Sequence, residues 1–167
     1  IPVPPDVADT VPLGILATFG DVKGVDVDAE GNVYIADSYL LFPGSGNKDL
    51  IRKITPDGEV IIYAGYLGTS TGPVDCFSPG CAINVKFIDT RDIAVDNNGN
   101  VFVASDISQF KIQQILPDRS VKAYGDPLIV IPEGIGIDPS TNHLIIADIH
   151  RNQIFRLDPT GFSKDRK

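Results

Sequence analysis

One pattern occurs three times in this chain, and a repeat of that kind limits the fold more than any other feature of the sequence. Its first copy is Gly24-Val25-Asp26-Val27-Asp28, then Gly31-Asn32, then Val33-Tyr34-Ile35-Ala36-Asp37. The second is Asp92-Ile93-Ala94-Val95-Asp96, Gly99-Asn100, Val101-Phe102-Val103-Ala104-Ser105. The third is Gly134-Ile135-Gly136-Ile137-Asp138, Asn142, Leu144-Ile145-Ile146-Ala147-Asp148. Each is a β-rich run, a tight turn and a second β-rich run. The turns use Gly and Asn, which adopt positive φ at least cost.

A third run follows each copy: Leu50 to Ile54, Phe110 to Ile115 and Gln153 to Leu157, each ending in a Pro-containing turn. Charged or polar residues between apolar ones mark a strand with one wet face. A fourth run follows twice, as Val60-Ile61-Ile62-Tyr63-Ala64-Gly65 and Val121-Lys122-Ala123-Tyr124-Gly125. It is missing after the third copy, and Ile15-Leu16-Ala17-Thr18-Phe19-Gly20 at the other end of the chain has the same character. The expected tally is twelve strands, with the N-terminal one completing the last sheet or that of a neighbour.

These motifs resemble the NHL repeat, strongest over Gly31 to Asp37 with Ile51 to Gly58, next over Asp92 to Ala104 with Pro117-Asp118. Ser105 stands where the pattern has Asp, and Arg119 where it has the turn Gly. The resemblance implies an all-β protein, a β-propeller with three four-stranded antiparallel blades over 15–161. A Pro-rich arm over 1–14 and a polar tail over 162–167 flank it. The family covers enzymes, scaffolds and receptors, so the resemblance carries architecture and not activity.

Propellers close with about four to eight blades. Three blades leave two apolar faces uncovered, which signals association or further sequence. Two chains could form a six-bladed ring, the chain could be part of a longer propeller, or unlike faces could dock into a fibre. The arm carries Ile1, Val3, Val7, Val11 and Leu13 among four prolines, a pattern that fits a disordered terminus and an extended tether lying on a neighbour equally well.

Fourteen basic and 22 acidic residues give a net charge of −8, which disfavours nucleic acid. No apolar run is long enough to span a bilayer. The chain has no Met, as expected of a processed or excised protein. Cys76 and Cys81 flank a Pro-Gly turn that brings the thiols within disulfide range; this reading is favoured over zinc or free thiols. A disulfide implies an oxidising, extracytoplasmic compartment.

Two insertions, 38–49 and 66–91, are expected as loops on one elaborated face, because loops longer than about 12 residues are usually functional or disordered. Binding is expected there, through Tyr39, Leu40, Leu41, Phe42, Tyr66 and Phe77. Asp26, Asp28 and Glu30 before Gly31 imitate the start of a calcium loop but lack its distal bidentate acid, so turn-stabilising roles are favoured and no cofactor is expected. His143 and His150 fall at opposite ends of one strand, and no nucleophile–base pattern occurs. Asp37 and Asp148 occupy equivalent positions, where strand capping outweighs a catalytic pair. The expected function is noncatalytic protein association, with itself or another protein. The alternative is part of a larger propeller lyase or hydrolase, or of a ligand-binding receptor.

Overall fold

A computed structural model describes residues 19–40, 47–66, 73–107, 110–124 and 128–158. Among them three antiparallel sheets form, each a simple meander. Blade 1 is β1 (Asp21–Val27), β2 (Val33–Leu40), β3 (Asn47–Ile54) and β4 (Val60–Ala64). Blade 2 is β5 (Thr90–Val95), β6 (Val101–Ile107), β7 (Phe110–Ile115) and β8 (Val121–Tyr124). Blade 3 is β9 (Pro132–Asp138), β10 (His143–Asp148) and β11 (Gln153–Leu157). The blades meet through their first strands, β1 against β5 and β5 against β9.

The repeated turns explain the repeated hairpins. Asp28 Oδ1 accepts from the amides of Glu30 and Asn32, and Oδ2 accepts from the Asn32 side chain and the Tyr34 hydroxyl. Burial pushes the Asp28 carboxyl up, but these hydrogen bonds outweigh it and hold the group below its ordinary range. Asp96 repeats the arrangement with Asn98 and Asn100. Gly31 and Gly99 supply the positive φ, 84° and 76°. Of the three acids that imitate a calcium loop, Asp28 therefore holds the turn and Glu30 contributes its amide, whereas the Asp26 carboxylate accepts from the Val27 and Val95 amides outside it.

The insertion at 38–49 is not a free loop. β2 and β3 extend into it from either side, pairing Ser38 with Asp49, Tyr39 with Lys48 and Leu40 with Asn47. Buried Asp49 permits this, because Ser38 Oγ donates to it at 2.8 Å and the Thr90 amide at 2.7 Å. Tyr39 and Leu40 thus belong to a strand, whereas Leu41 and Phe42 lie outside the described residues.

Of the expected N-terminal strand only Phe19 and Gly20 are described, and they occupy the entry to blade 1. Phe19 lies five residues before Gly24, as Phe87 precedes Asp92 and Ile129 precedes Gly134. Phe87 and Ile129 are buried, and Phe19 lies under the Arg52 guanidinium, 4.9 Å from its ring centroid. An outer strand must cross three inter-strand spacings, about 14 Å, to reach the next inner strand. Two residues reach at most about 7 Å. Phe19 and Gly20 are therefore a lead-in, not the end of an outer strand. The arm residues Ile1, Val3, Val7, Val11 and Leu13 lie outside the described residues.

The cysteines form the expected disulfide, with Cα atoms 6.1 Å apart. Their location corrects the expectation of one elaborated face. The segment leaves β4 at the end carrying the β2–β3 hairpin but descends to the opposite end. There Gly80 donates to the Asp118 carbonyl at 2.7 Å, Ala82 to Arg119 at 2.9 Å, and Cys76 pairs with Val121. Sheets that meet at their first strands leave a gap between their outer ones. Ala82, Val85 and Phe87 fill it, buried with Tyr63 and Val121 in one cluster. That apolar gap draws the segment inward. Phe77 stays exposed at the tip, at the end opposite the β2–β3 hairpin.

Candidate functional site

Aligning the blades by strand register divides each sheet into two faces. The forward face of blade 1, turned to blade 2, carries Tyr34, Ala36 and Ile51; blade 2 repeats it with Phe102, Ala104 and Ile112. The same positions in blade 3 are Ile145, Ala147 and Ile154. The rear face that receives them is Ile93, Val95, Val101 and Val103 in blade 2, and Ile135, Ile137, Leu144 and Ile146 in blade 3. In blade 1 it is Val25, Val27, Val33 and Ile35.

Burial shows which faces are covered. The isoleucine common to all three forward faces is 0% exposed at Ile51, 2% at Ile112 and 66% at Ile154. On the rear face, Ile93 and Val95 are 2% and 8% exposed, but the equivalent Val25 and Val27 are 61% and 55% exposed. Among the described residues, Ile154 on the forward face of blade 3 and Val25 and Val27 on the rear face of blade 1 are therefore exposed, whereas Ile35 beside them is 7% exposed.

Carboxylates fasten the covered junctions. Asp26 Oδ1 accepts from the Val27 amide of its own strand, and Oδ2 from the equivalent Val95 amide of the next, at 2.7 Å. Asp92 does the same with Ile93 and Ile135, the latter at 2.8 Å. Each acid joins equivalent backbone donors of adjacent blades, which bare sheet packing would leave unpaired. Gly24 admits this approach, since a Cβ there would stand 2.4 Å from Asp92 Oδ1. In blade 3 the two equivalent positions are Gly134 and Gly136, so its uncovered face has no such acid. Above the second junction Arg91 and Glu133 pair at 3.0 Å.

The first strands enclose a cleft of ≈ 430 Å³ lined by Val25, Asp26, Asp92, Ile93, Val95 and Ile135, among others. Asp26 and Asp92 are already committed to amides there. Asp37 and Asp148 do not converge. Asp148 accepts from the amides of Val130 and Ile131, which enter its own blade, and of His150 and Arg151. Burial pushes its carboxyl up, and these four donors together hold it below the ordinary range. Asp37 accepts from the Gly20 amide at 2.7 Å and faces Arg52 Nε at 2.9 Å, both side chains buried. Among the described residues no three His, Cys, Asp or Glu side chains gather as metal ligands, and no helix is long and apolar enough to cross a membrane.

The sequence matches no family model and no curated protein. Solved structures do match. A chain of a nidogen/laminin complex aligns at TM-score 0.60 and 19% identity, over 85% of this chain and 46% of that one. An auxiliary nutrient binding protein from Bacteroides thetaiotaomicron aligns at 0.58 and 12%, over 87% and 29%. A streptogramin B lyase aligns at 0.53 and 18%, over 90% and 40%. The fold is a β-propeller, left open. The chain spans less than half the length of each of these structures, and identities this low carry the fold alone.

Of the expected binding residues, the open propeller keeps Phe77 exposed, half-buries Tyr66 and separates Phe77 from the β2–β3 hairpin. Val25, Val27 and Ile154 were not singled out in the sequence. The available signal was the isoleucine recurring at 51, 112 and 154.

Proposed function

We propose that this chain is a noncatalytic, extracytoplasmic propeller module of the NHL type that works by protein association through its uncovered blade faces. The observation that carries this reading is Ile154, an outward apolar residue at a position buried in both preceding blades. Apolar surface of this kind is covered in a soluble assembly. The disulfide supports an oxidising compartment, and the nidogen/laminin match supports a role in protein complexes. No cofactor is needed for such a role. Light scattering on the purified chain tests the reading: a particle heavier than one chain is expected, and a stable monomer at high concentration overturns self-association.

A second reading draws on the axial cleft and on the lyase and nutrient-binding matches: part of a larger propeller that binds or transforms a ligand at its axis. Stoichiometric calcium or zinc in the purified protein favours it.

A further inference from the structure

We infer that Asn98 is a site of spontaneous covalent modification, where the chain's own Gly99 amide displaces ammonia from the side chain and water completes the conversion to an acid. Asn98 is the one asparagine followed by glycine in this sequence. Glycine has no Cβ to hinder its nitrogen from reaching the preceding side chain. The turn leaves that side chain free. Asn98 is exposed, and among the described residues its side-chain amide bonds to nothing. The other asparagines of the three repeated turns are all held: Asn32 on Asp28, Asn97 on the Pro139 carbonyl, Asn100 and Asn142 on Asp96.

The same turn restrains the attacking group. The Gly99 N–H donates to the Asp96 carbonyl at 3.0 Å, and the Asn98 backbone amide donates to Asp96 Oδ1 at 2.9 Å. Attack therefore waits for the turn to open. The Gly99 nitrogen then loses its proton and bonds to Asn98 Cγ, the Cγ–Nδ2 bond breaks, and ammonia leaves with a proton. Water next opens the cyclic imide. Breaking the newly formed C–N bond gives aspartate on an ordinary backbone. Breaking the original peptide bond gives isoaspartate, whose backbone runs through the side-chain carbons and is longer by a methylene.

The two products differ in consequence. Blade 1 carries Glu30 at the equivalent position, exposed and with its amide on Asp28 at 3.1 Å, so this kind of turn accommodates an acid. The longer isoaspartyl backbone instead moves Asn100 away from Asp96, which is 4% exposed and takes both Asn100 donors at 2.8 Å. A buried carboxylate that loses donors destabilises the fold around it. Asp96 also accepts from Asn142 of blade 3, and the Asn97 amide donates to Asn142 Oδ1 at 2.9 Å. Isoaspartate at this place therefore loosens blade 2 against blade 3, at the rim of the cleft that Asn97 and Pro139 line.

The test incubates the purified chain in mildly alkaline buffer, folded or unfolded in urea, and maps its tryptic peptides by mass spectrometry with isoaspartate detection. Asn98 should convert before any other asparagine. In the folded chain it should convert more slowly by about tenfold or more, the factor that ~1.4 kcal/mol of turn opening gives. Asn98→Gln should remove the modified peptide. Asn98→Asp should unfold at the same urea concentration as the unmodified protein, whereas deamidated chains isolated by ion exchange, which include isoaspartate, should unfold at a lower one. No conversion at Asn98 in the folded chain, or faster conversion at another asparagine, overturns the site. Equal rates in folded and unfolded chains overturn control by the turn, and deamidated chains as stable as the unmodified protein overturn the loosening.

Discussion

Blades 1 and 2 share one hydrogen-bonding frame but fill one buried position with opposite chemistry. In blade 1, Asp37 stands diagonally across β2 and β3 from Arg52, both buried, with the charges 2.9 Å apart. Register places Ser105 and Gln113 at those positions in blade 2. Ser105 Oγ lies 3.4 Å from Gln113 Oε1, and Gln113 Nε2 donates to the carbonyls of Val74 and Lys86. Blade 3 has Asp148 and Phe155, and the carboxylate turns to four backbone amides. The acid recurs in blades 1 and 3, where it accepts from amides of the chain entering the blade. Its cross-strand partner varies with what else satisfies the group. Blade 2, whose entry is bound through Asp49, does without the acid.

The largest expected effect breaks the blade 1 pair. Arg52→Ala leaves a buried carboxylate without its cation and should cost about 3–5 kcal/mol in urea unfolding. The double variant Asp37→Ser with Arg52→Gln, which transplants the blade 2 pair, should cost much less than Arg52→Ala. Equal losses would show that side-chain volume matters and charge pairing does not.

Next comes Asp148→Asn, which replaces one of two accepting oxygens with a donor facing backbone amides, at about 2 kcal/mol. The Asp148 carboxyl is held below its ordinary range, so the folded state binds its proton less readily than the unfolded chain. Its contribution is complete above the unfolded value of about 4 and is lost as pH falls through the folded one. Asp138 behaves alike: hydrogen bonds from Ser140 and Thr141 lower it to about 2. Unfolding measured from pH 6 to 2 should show a shallower acid loss for Asp148→Asn than for the unmodified protein.

The smallest effect separates two turns. Gly58 and Arg119 hold equivalent positions at φ 89° and 61°. Arg119 lacks the freedom of glycine, but its carbonyl accepts from Ala82, and its guanidinium lies 5.8 Å from the Tyr63 ring centroid. Gly58→Ala should cost about 1 kcal/mol, because the added Cβ meets a left-handed backbone. Arg119→Gly should change stability by less, since relief of strain offsets the lost cation–π contact. A larger loss at Arg119 would mean that the disulfide segment depends on that side chain.

Much of the architecture was legible in the residues. Three alternating runs and their Asp/Asn/Gly turns determined the hairpins, because side-chain alternation and positive φ are local properties of a few neighbours. The Cys-x4-Cys spacing determined the disulfide for the same reason. Other features depended on distant partners. The hairpin stem through Tyr39 and Leu40 continues because Asp49 is satisfied by Ser38 and by Thr90, forty-one residues away. Phe19 and Gly20 have the aromatic–glycine signature of an outer strand, but the distance to be crossed makes them an entry segment. The disulfide segment moved to the opposite end because outer strands leave a gap that apolar residues must fill. Only the tertiary structure separated Ile154 from Ile51 and Ile112, since burial depends on the sheet that comes next. The sequence determined what each blade face is made of; the packing of one sheet on another decided which faces are left for a partner.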